Sequence, residues 1–414
     1  MKLLVKNIGC LVGAYDEVPP LKKGNDMGNV SMIPNAWLAI EDGRFLDFGR
    51  MEEWPGISDW RDLEVLDAEG GWVLPTFCDS HTHLVFAASR AQEFSDRIRG
   101  MSYEEIAARG GGILNSAAKM AEASEEQLFQ EAMKRLDELV ALGTGAVEIK
   151  SGYGLTLETE LKMLRVIRRL KESHRVSIKA TFLGAHAYPV QYKDNKNGYV
   201  DLICQKMIPA VAKEGLADYI DVFCEANYFG LEETERILGA GLAHGLISKV
   251  HVNQFNSIGG IALSARMKSL TVDHLEVMVE EDYTILRTSE VIPVALPGCS
   301  LFIKIPYTPG RRIIDEGNAL ALASDFNPGS SPSGNMQLVM SLACIHMGLT
   351  PEEAFNAATI NGAYAMGMGE ELGSITPGKK ANFILSRHIK ELAELPYYFG
   401  RNNVDAVYLG GVRE

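Results

Sequence analysis

Val73-Leu-Pro-Thr-Phe-Cys-Asp-Ser-His-Thr-His83 joins a strand-like apolar run, Val73 to Asp79, to two histidines with one residue between them. An extended chain points alternate side chains the same way. Both imidazoles therefore reach one side, and two ligands for one ion can come from a single strand end. Taken alone, a His-x-His pair is more often incidental than a metal site, so its meaning depends on what the rest of the chain supplies.

Seven more β-rich runs follow. They lie near Thr144 to Lys150, Ser177 to Leu183, Tyr219 to Cys224, Ile247 to Val252, Ser269 to Asp273, Val291 to Leu296 and Ala319 to Ser324. Helix-forming stretches such as Glu158 to Glu172 and Glu232 to Ala243 separate them and are long enough to cross back over a strand. Strands alternating with helices predict a parallel sheet wrapped by helices, and eight strands close a barrel. The expected fold is α/β: a TIM-like (β/α)8 barrel over residues 73–370. Residues 1–72 carry a hairpin signal at Asp42-Gly43, between Trp37-Leu-Ala-Ile40 and Arg44-Phe-Leu-Asp-Phe48. Residues 371–414 hold strand-like Ala381 to Leu385 and Val404 to Leu409, the latter just before Gly410-Gly411. These two ends are expected to form one small β-sandwich domain.

Composition narrows the function classes. The chain has 414 residues, 46% hydrophobic and 23% charged, enough to bury a large core. Forty Lys and Arg against 54 Asp and Glu give a net charge of −14, and no basic stripe suits a phosphate backbone, so nucleic acid is not an expected partner. Lys6 and Asn7 interrupt the first apolar run, so neither a signal peptide nor a membrane helix is drawn there, and a cytoplasmic location is expected. Six scattered cysteines form no close pairs, which argues for reduced thiols over a disulfide framework.

Five of the nine histidines, His81, His83, His186, His251 and His274, fall at or just past the C-terminal ends of the proposed strands, the face where barrel enzymes place their sites. Alone, His251 reads as a hydrogen-bonded core histidine and Asp325 as a cap ahead of Asn327-Pro328. Together with His81 and His83 they offer three nitrogen ligands and one carboxylate from the first, fifth and eighth runs, leaving room for a water.

This pattern resembles the mononuclear branch of the amidohydrolase superfamily, and the resemblance covers essentially the whole chain. The strings Asp79-Ser-His-Thr-His-Leu-Val-Phe86 with Ser89-Arg90, Lys150-Ser-Gly-Tyr-Gly154, Leu183-Gly-Ala-His-Ala-Tyr-Pro189, Asp273-His-Leu275 and Ser324-Asp-Phe-Asn-Pro-Gly-Ser-Ser-Pro332 look like those of its imidazolonepropionase family. The resemblance implies one divalent ion, zinc or iron, held by His81, His83, His251 and Asp325. It implies hydrolytic opening of a cyclic amide, with His274 and Asp325 as catalytic groups. Arg90 would clamp a substrate carboxylate, and Tyr153, His186, Gln254, Asn327, Gly329 and Ser330 would complete the contacts to a small molecule. A homodimer is a further family expectation.

Gln254 departs from many relatives, which carry a carboxylate three residues after the strand-five histidine. An amide cannot carry a proton, so Gln254 is read as a binding group, and the departure argues against a deaminase. Lys150 ends the second run, whereas the carboxylated lysine of dinuclear relatives belongs on the fourth. It is therefore read as a structural ion pair. The competing readings are another amidohydrolase reaction, on a different cyclic amide or a nucleobase-like substrate, and a metal-free scaffold.

Overall fold

The computed structural model describes residues 2–57, 60–101, 105 and 111–414. Eight parallel strands run in simple chain order: β1 (Phe77–Thr82), β2 (Thr144–Lys150), β3 (Ser177–Ala185), β4 (Tyr219–Cys224), β5 (Ile247–Val252), β6 (Thr271–His274), β7 (Ile292–Ala295) and β8 (Ala321–Leu322). Nearly every residue in them is buried, because helices cover the outside and side chains fill the inside. Closure is made just beyond β8. Asp325 N donates to His81 O at 3.0 Å, and His83 N donates to Phe326 O at 2.9 Å. The seam between the first and last strands thus runs through three of the residues singled out above.

The helices behave as their sequences dictate. Leu157–Ser173 starts at Thr156, whose side chain accepts from Thr159 N, and buries Leu161, Leu164, Ile167 and Leu170 at helical spacing. Leu231–Ala243 buries Ile237 and Leu238 against the sheet in the same way. No described helix is long and apolar enough to cross a membrane.

Strands from both ends of the chain share one mixed eight-stranded sheet. Its order is Val412–Arg413, Ala406–Leu409, Phe383–Ser386, Trp72–Pro75, Lys2–Val12, Met32–Glu41 and Arg44–Arg50, with Leu63–Asp67 paired parallel to Lys2–Val12. Leu3, Val5, Leu38, Phe45, Phe383 and Tyr408 form its core. The hairpin turn falls at Asp42-Gly43, with φ of +47° and +76°. One element differs from the sequence reading. The run Val73 to Asp79 is not a single strand: Trp72–Pro75 belongs to the terminal sheet, and the barrel strand begins at Phe77. Pro75 has no N–H to donate, and after one more long bond, Thr76 N to Asn382 O at 3.4 Å, the chain passes from one sheet to the other.

Candidate metal centre and active site

The five side chains His81, His83, His251, His274 and Asp325 come from the C-terminal ends of β1, β5, β6 and β8, and all are buried. Ring centroids of His81 and His251 lie 4.5 Å apart, those of His81 and His83 5.3 Å, and those of His251 and His274 5.4 Å. His81 Nε2 and His83 Nε2 sit 3.6 and 3.5 Å from Asp325 Oδ1, too far for a hydrogen bond. About 3.4 Å is the separation of neighbouring ligands around a tetrahedral ion with bonds of roughly 2.1 Å. His81 Nε2 and His251 Nε2 have no hydrogen-bond partner, a costly state for buried polar atoms.

Potential ligand atoms of His81, His83 and Asp325 lie within 4.8 Å of one another, as do those of His81, His251 and His274. His81 is common to both groups, and neither group contains all four expected ligands. Burial, followed by the Lys150 charge and the neighbouring His251 ring, pushes His81 well below the ordinary histidine pKa, and burial with His186 does the same for His83. Neutral imidazoles with free lone pairs are the form that ligates. Unpartnered nitrogens, neutral rings and a carboxylate at this spacing fit a divalent ion of the zinc or iron type.

Beneath the histidines lies a buried charge network. His81 Nδ1 contacts Asp273 Oδ2 at 2.6 Å, and His251 Nδ1 lies 2.9 Å from Asp221 Oδ2. Lys150 donates to Glu148 at 2.6 Å and to Asp221 at 2.9 Å. Lys249 bonds Glu148, Ser80 O and Ala365 O. Four carboxylates, Glu148, Asp221, Asp273 and Asp325, stand here against two lysines, and burial raises the pKa of Asp273 and Asp325. Lys150 is an ion-paired residue in this network, and sequence reasoning had missed the rest of it. The available signal was the presence of charged residues inside strands that bury both faces.

His274 Nδ1 lies 3.2 Å from Glu276 Oε1, which also accepts from Ser300 Oγ at 3.3 Å. Burial works against the charged imidazole, but Glu276, Asp325 and Asp273 outweigh it and raise the His274 pKa. His274 and Asp325 hold φ of +91° and +52°. Such left-handed backbone in non-glycine residues is kept where the surroundings enforce it. Gln254 Nε2 donates to Cys299 Sγ at 3.4 Å.

The remaining expected contacts gather around this centre. His186 stacks on His83 at 5.1 Å, with Tyr153 tilted against both rings. Burial and the adjacent His251 push the His186 pKa down to about 3. Gly152, at φ +111°, allows this approach, since a Cβ there would meet His186 Nδ1 at 2.9 Å. Arg90 donates through Nε and Nη2 to Glu93 Oε2, at 2.8 and 2.5 Å. Its guanidinium also lies over Gly329, where any Cβ would collide with Nη1. Asn327 is committed to its own loop: Oδ1 accepts from Gly329 N and Ser330 N, and Nδ2 donates to Asp325 O and Ser330 Oγ. Ser330 Oγ also lies 3.4 Å from Asp325 Oδ2.

Curated relatives share this frame along its whole length. Imidazolonepropionases of Christiangramia forsetii and Flavobacterium johnsoniae are each 56% identical, over 99% of this chain and 99% of theirs. The chain belongs to the imidazolonepropionase family. A Shewanella baltica imidazolonepropionase is 46% identical over 92% of this chain and 93% of its own. Residues 265–413 also match the wider Amidohydrolase family. Among solved structures, an E. coli guanine deaminase superposes with a TM-score of 0.73 at 13% identity, over 100% of this chain and 99% of its own. A Xanthomonas campestris adenosine deaminase with bound zinc gives 0.71 at 15%, over 99% and 92%. These structures share the fold. Amidohydrolases are metal-dependent, and the imidazolonepropionase-family chain carries buried groups able to hold a metal.

Proposed function

We propose that the chain hydrolyses 4-imidazolone-5-propanoate to N-formimidoyl-L-glutamate, a step of histidine degradation, and that His81, His83, His251 and Asp325 hold one divalent ion, zinc or iron. The carrying observation is the buried cluster in which His81 Nε2 and His251 Nε2 have no partner and His81 Nε2 and His83 Nε2 lie 3.6 and 3.5 Å from Asp325 Oδ1 at the barrel seam. Full-length identity to imidazolonepropionases supports the substrate. When bound, such an ion polarises a carbonyl and makes water nucleophilic near neutral pH.

The protein's own groups do the rest. Water adds to the ring carbonyl carbon and the adjacent C–N bond breaks. The carbonyl becomes a carboxylate, and the ring nitrogen leaves with a proton. With Nδ1 bound to Glu276, His274 has Nε2 free to move that proton and to steady the developing oxyanion. Asp325 is the second proton-carrying group, since Gln254 offers only an amide. Arg90 clamps the propionate by exchanging its bond to Glu93 for a charge-assisted pair with the substrate. Tyr153, His186, Gln254, Gly329 and Ser330 line the ring and carboxylate, while Asn327 acts through the loop it braces. Six unpaired thiols suit a reducing, cytoplasmic setting.

The test is turnover of freshly prepared 4-imidazolone-5-propanoate, followed by loss of its ultraviolet absorbance, on metal-loaded and chelator-stripped protein. Metal-dependent formation of N-formimidoyl-L-glutamate is the expected result. Metal-loaded protein that leaves this substrate untouched would overturn the substrate while leaving the fold intact.

A further inference from the structure

The two histidines from β1 and β5 rest on different carboxylates, yet both carboxylates lead to one cation. Lys150 Nζ donates to Asp221 Oδ2 at 2.9 Å and lies 3.6 Å from Asp273 Oδ2. These are the same two oxygens that lie against His251 Nδ1, at 2.9 Å, and His81 Nδ1, at 2.6 Å. All five side chains are essentially closed to solvent. We propose that Lys150 is a positioning residue for the metal: through Asp273 and Asp221 it fixes the orientation and tautomer of His81 and His251. The inference rests on the ligand set proposed above.

A histidine ligates well when its second nitrogen donates to a fixed acceptor, because this sets both the ring plane and the nitrogen that carries the lone pair. Asp273 Oδ2 supplies that acceptor for His81, and Asp221 Oδ2 lies against His251 Nδ1 while Asp221 Oδ1 accepts from His251 N at 3.1 Å. Asp273, whose Oδ1 has no partner, is the carboxylate free to rotate about its terminal torsion, and the Lys150 ammonium 3.6 Å away favours one setting of it. Glu148 Oε1, at 2.6 Å, anchors the ammonium from below, and Thr181 Oγ1 donates to the same oxygen at 2.6 Å. One ammonium thus borders both carboxylates, bonded to Asp221 and 3.6 Å from Asp273.

Charge alone predicts the opposite behaviour. A positive lysine beneath a cation repels it, so a purely electrostatic Lys150 would weaken metal binding and its removal would tighten it. Lys249 provides the comparison. It is equally buried and bonds Glu148, Ser80 O and Ala365 O; its charge also acts on the Asp273 carboxyl, but it makes no ion pair to Asp221 or Asp273 within 4.0 Å, whereas Lys150 bonds Asp221 and lies 3.6 Å from Asp273.

The experiment measures the rate of Zn(II) loss to a chromogenic chelator from full-length wild type, Lys150→Met and Lys249→Met, with folding checked by circular dichroism. Orientation-dependent binding predicts loss about 10- to 100-fold faster from Lys150→Met than from the other two. Equal rates in both lysine variants, or slower loss from Lys150→Met, would overturn the inference. Should Lys150→Met fail to fold, Asp273→Leu removes the acceptor that links His81 to Lys150. Faster loss is again expected, and wild-type retention would refute the relay. Wild-type protein that takes up no Zn(II) would instead overturn the ligand set itself.

Discussion

The floor of the site and its mouth are built on opposite terms. In the floor, strand register fixes the atoms. His251 and Asp273 are register partners on adjacent strands, as are Lys249 and Asp221, and every polar side chain there is buried. At the mouth, Arg90 caps a helix, Ala91–Ile98, that buries none of its residues, and Phe94 of that helix stacks on Phe302 at 5.2 Å while remaining exposed. A surface cavity of about 710 Å³ opens beside it, lined by Arg90, Phe94, Phe302 and Phe326. The floor is held by buried ion pairs within and between its strands, whereas Arg90 is held by a single carboxylate, Glu93, on its own helix. On the assignment proposed above, chemistry belongs to the rigid part and recognition to the adaptable part.

That contrast breaks if floor and mouth substitutions give the same kinetic signature. The largest effect is expected from His251→Ala, which should lose metal and activity together, with kcat/KM falling on the order of 10³-fold or more. Elemental analysis beside the rate measurement checks this, and a variant with full metal content would remove His251 from the ligand set. Arg90→Ala should raise KM about 10- to 100-fold and leave kcat and metal content much less affected. An unchanged KM would take Arg90 out of the clamp.

Glu276→Gln sharpens the comparison within the floor and is the smallest effect, about 10-fold in kcat. Burial disfavours the charged His274 ring, and Glu276 leads the groups that reverse this and raise its pKa. A neutral amide removes that support, so the pKa falls. The limb of the pH–rate profile that belongs to His274 should move to lower pH, and a profile identical to wild type would separate Glu276 from the proton step.

Most of the barrel was legible because parallel strands announce themselves as short apolar runs between helical stretches. Thr144–Lys150, Tyr219–Cys224 and Ile247–Val252 end where the sequence places them. The histidines were legible for a related reason, since residues of ligand type recur at the same end of those runs. The partners of the histidines were not. Asp273 lies 192 positions from His81, and no local spacing encodes a contact made only when β1 and β6 face each other across the barrel. Cys299, 45 positions from Gln254, escaped notice in the same way, whereas Glu276 lies only two residues from His274 and was missed despite its local spacing. Pro75 was misread because an apolar run passing between two sheets looks like one strand until its hydrogen bonds are traced.

The seam has a consequence for how the protein is made. Asp79 near the start of the barrel accepts from Ser324, 245 residues later, and Asp325 meets His81 beside it. Closing a loop of that length carries an entropy cost that only finished packing repays. A chain still emerging, or cut before its last barrel strand, holds His81 and His83 but lacks Asp325. On the ligand set proposed above, the complete site exists only once the last barrel strand has closed the circle.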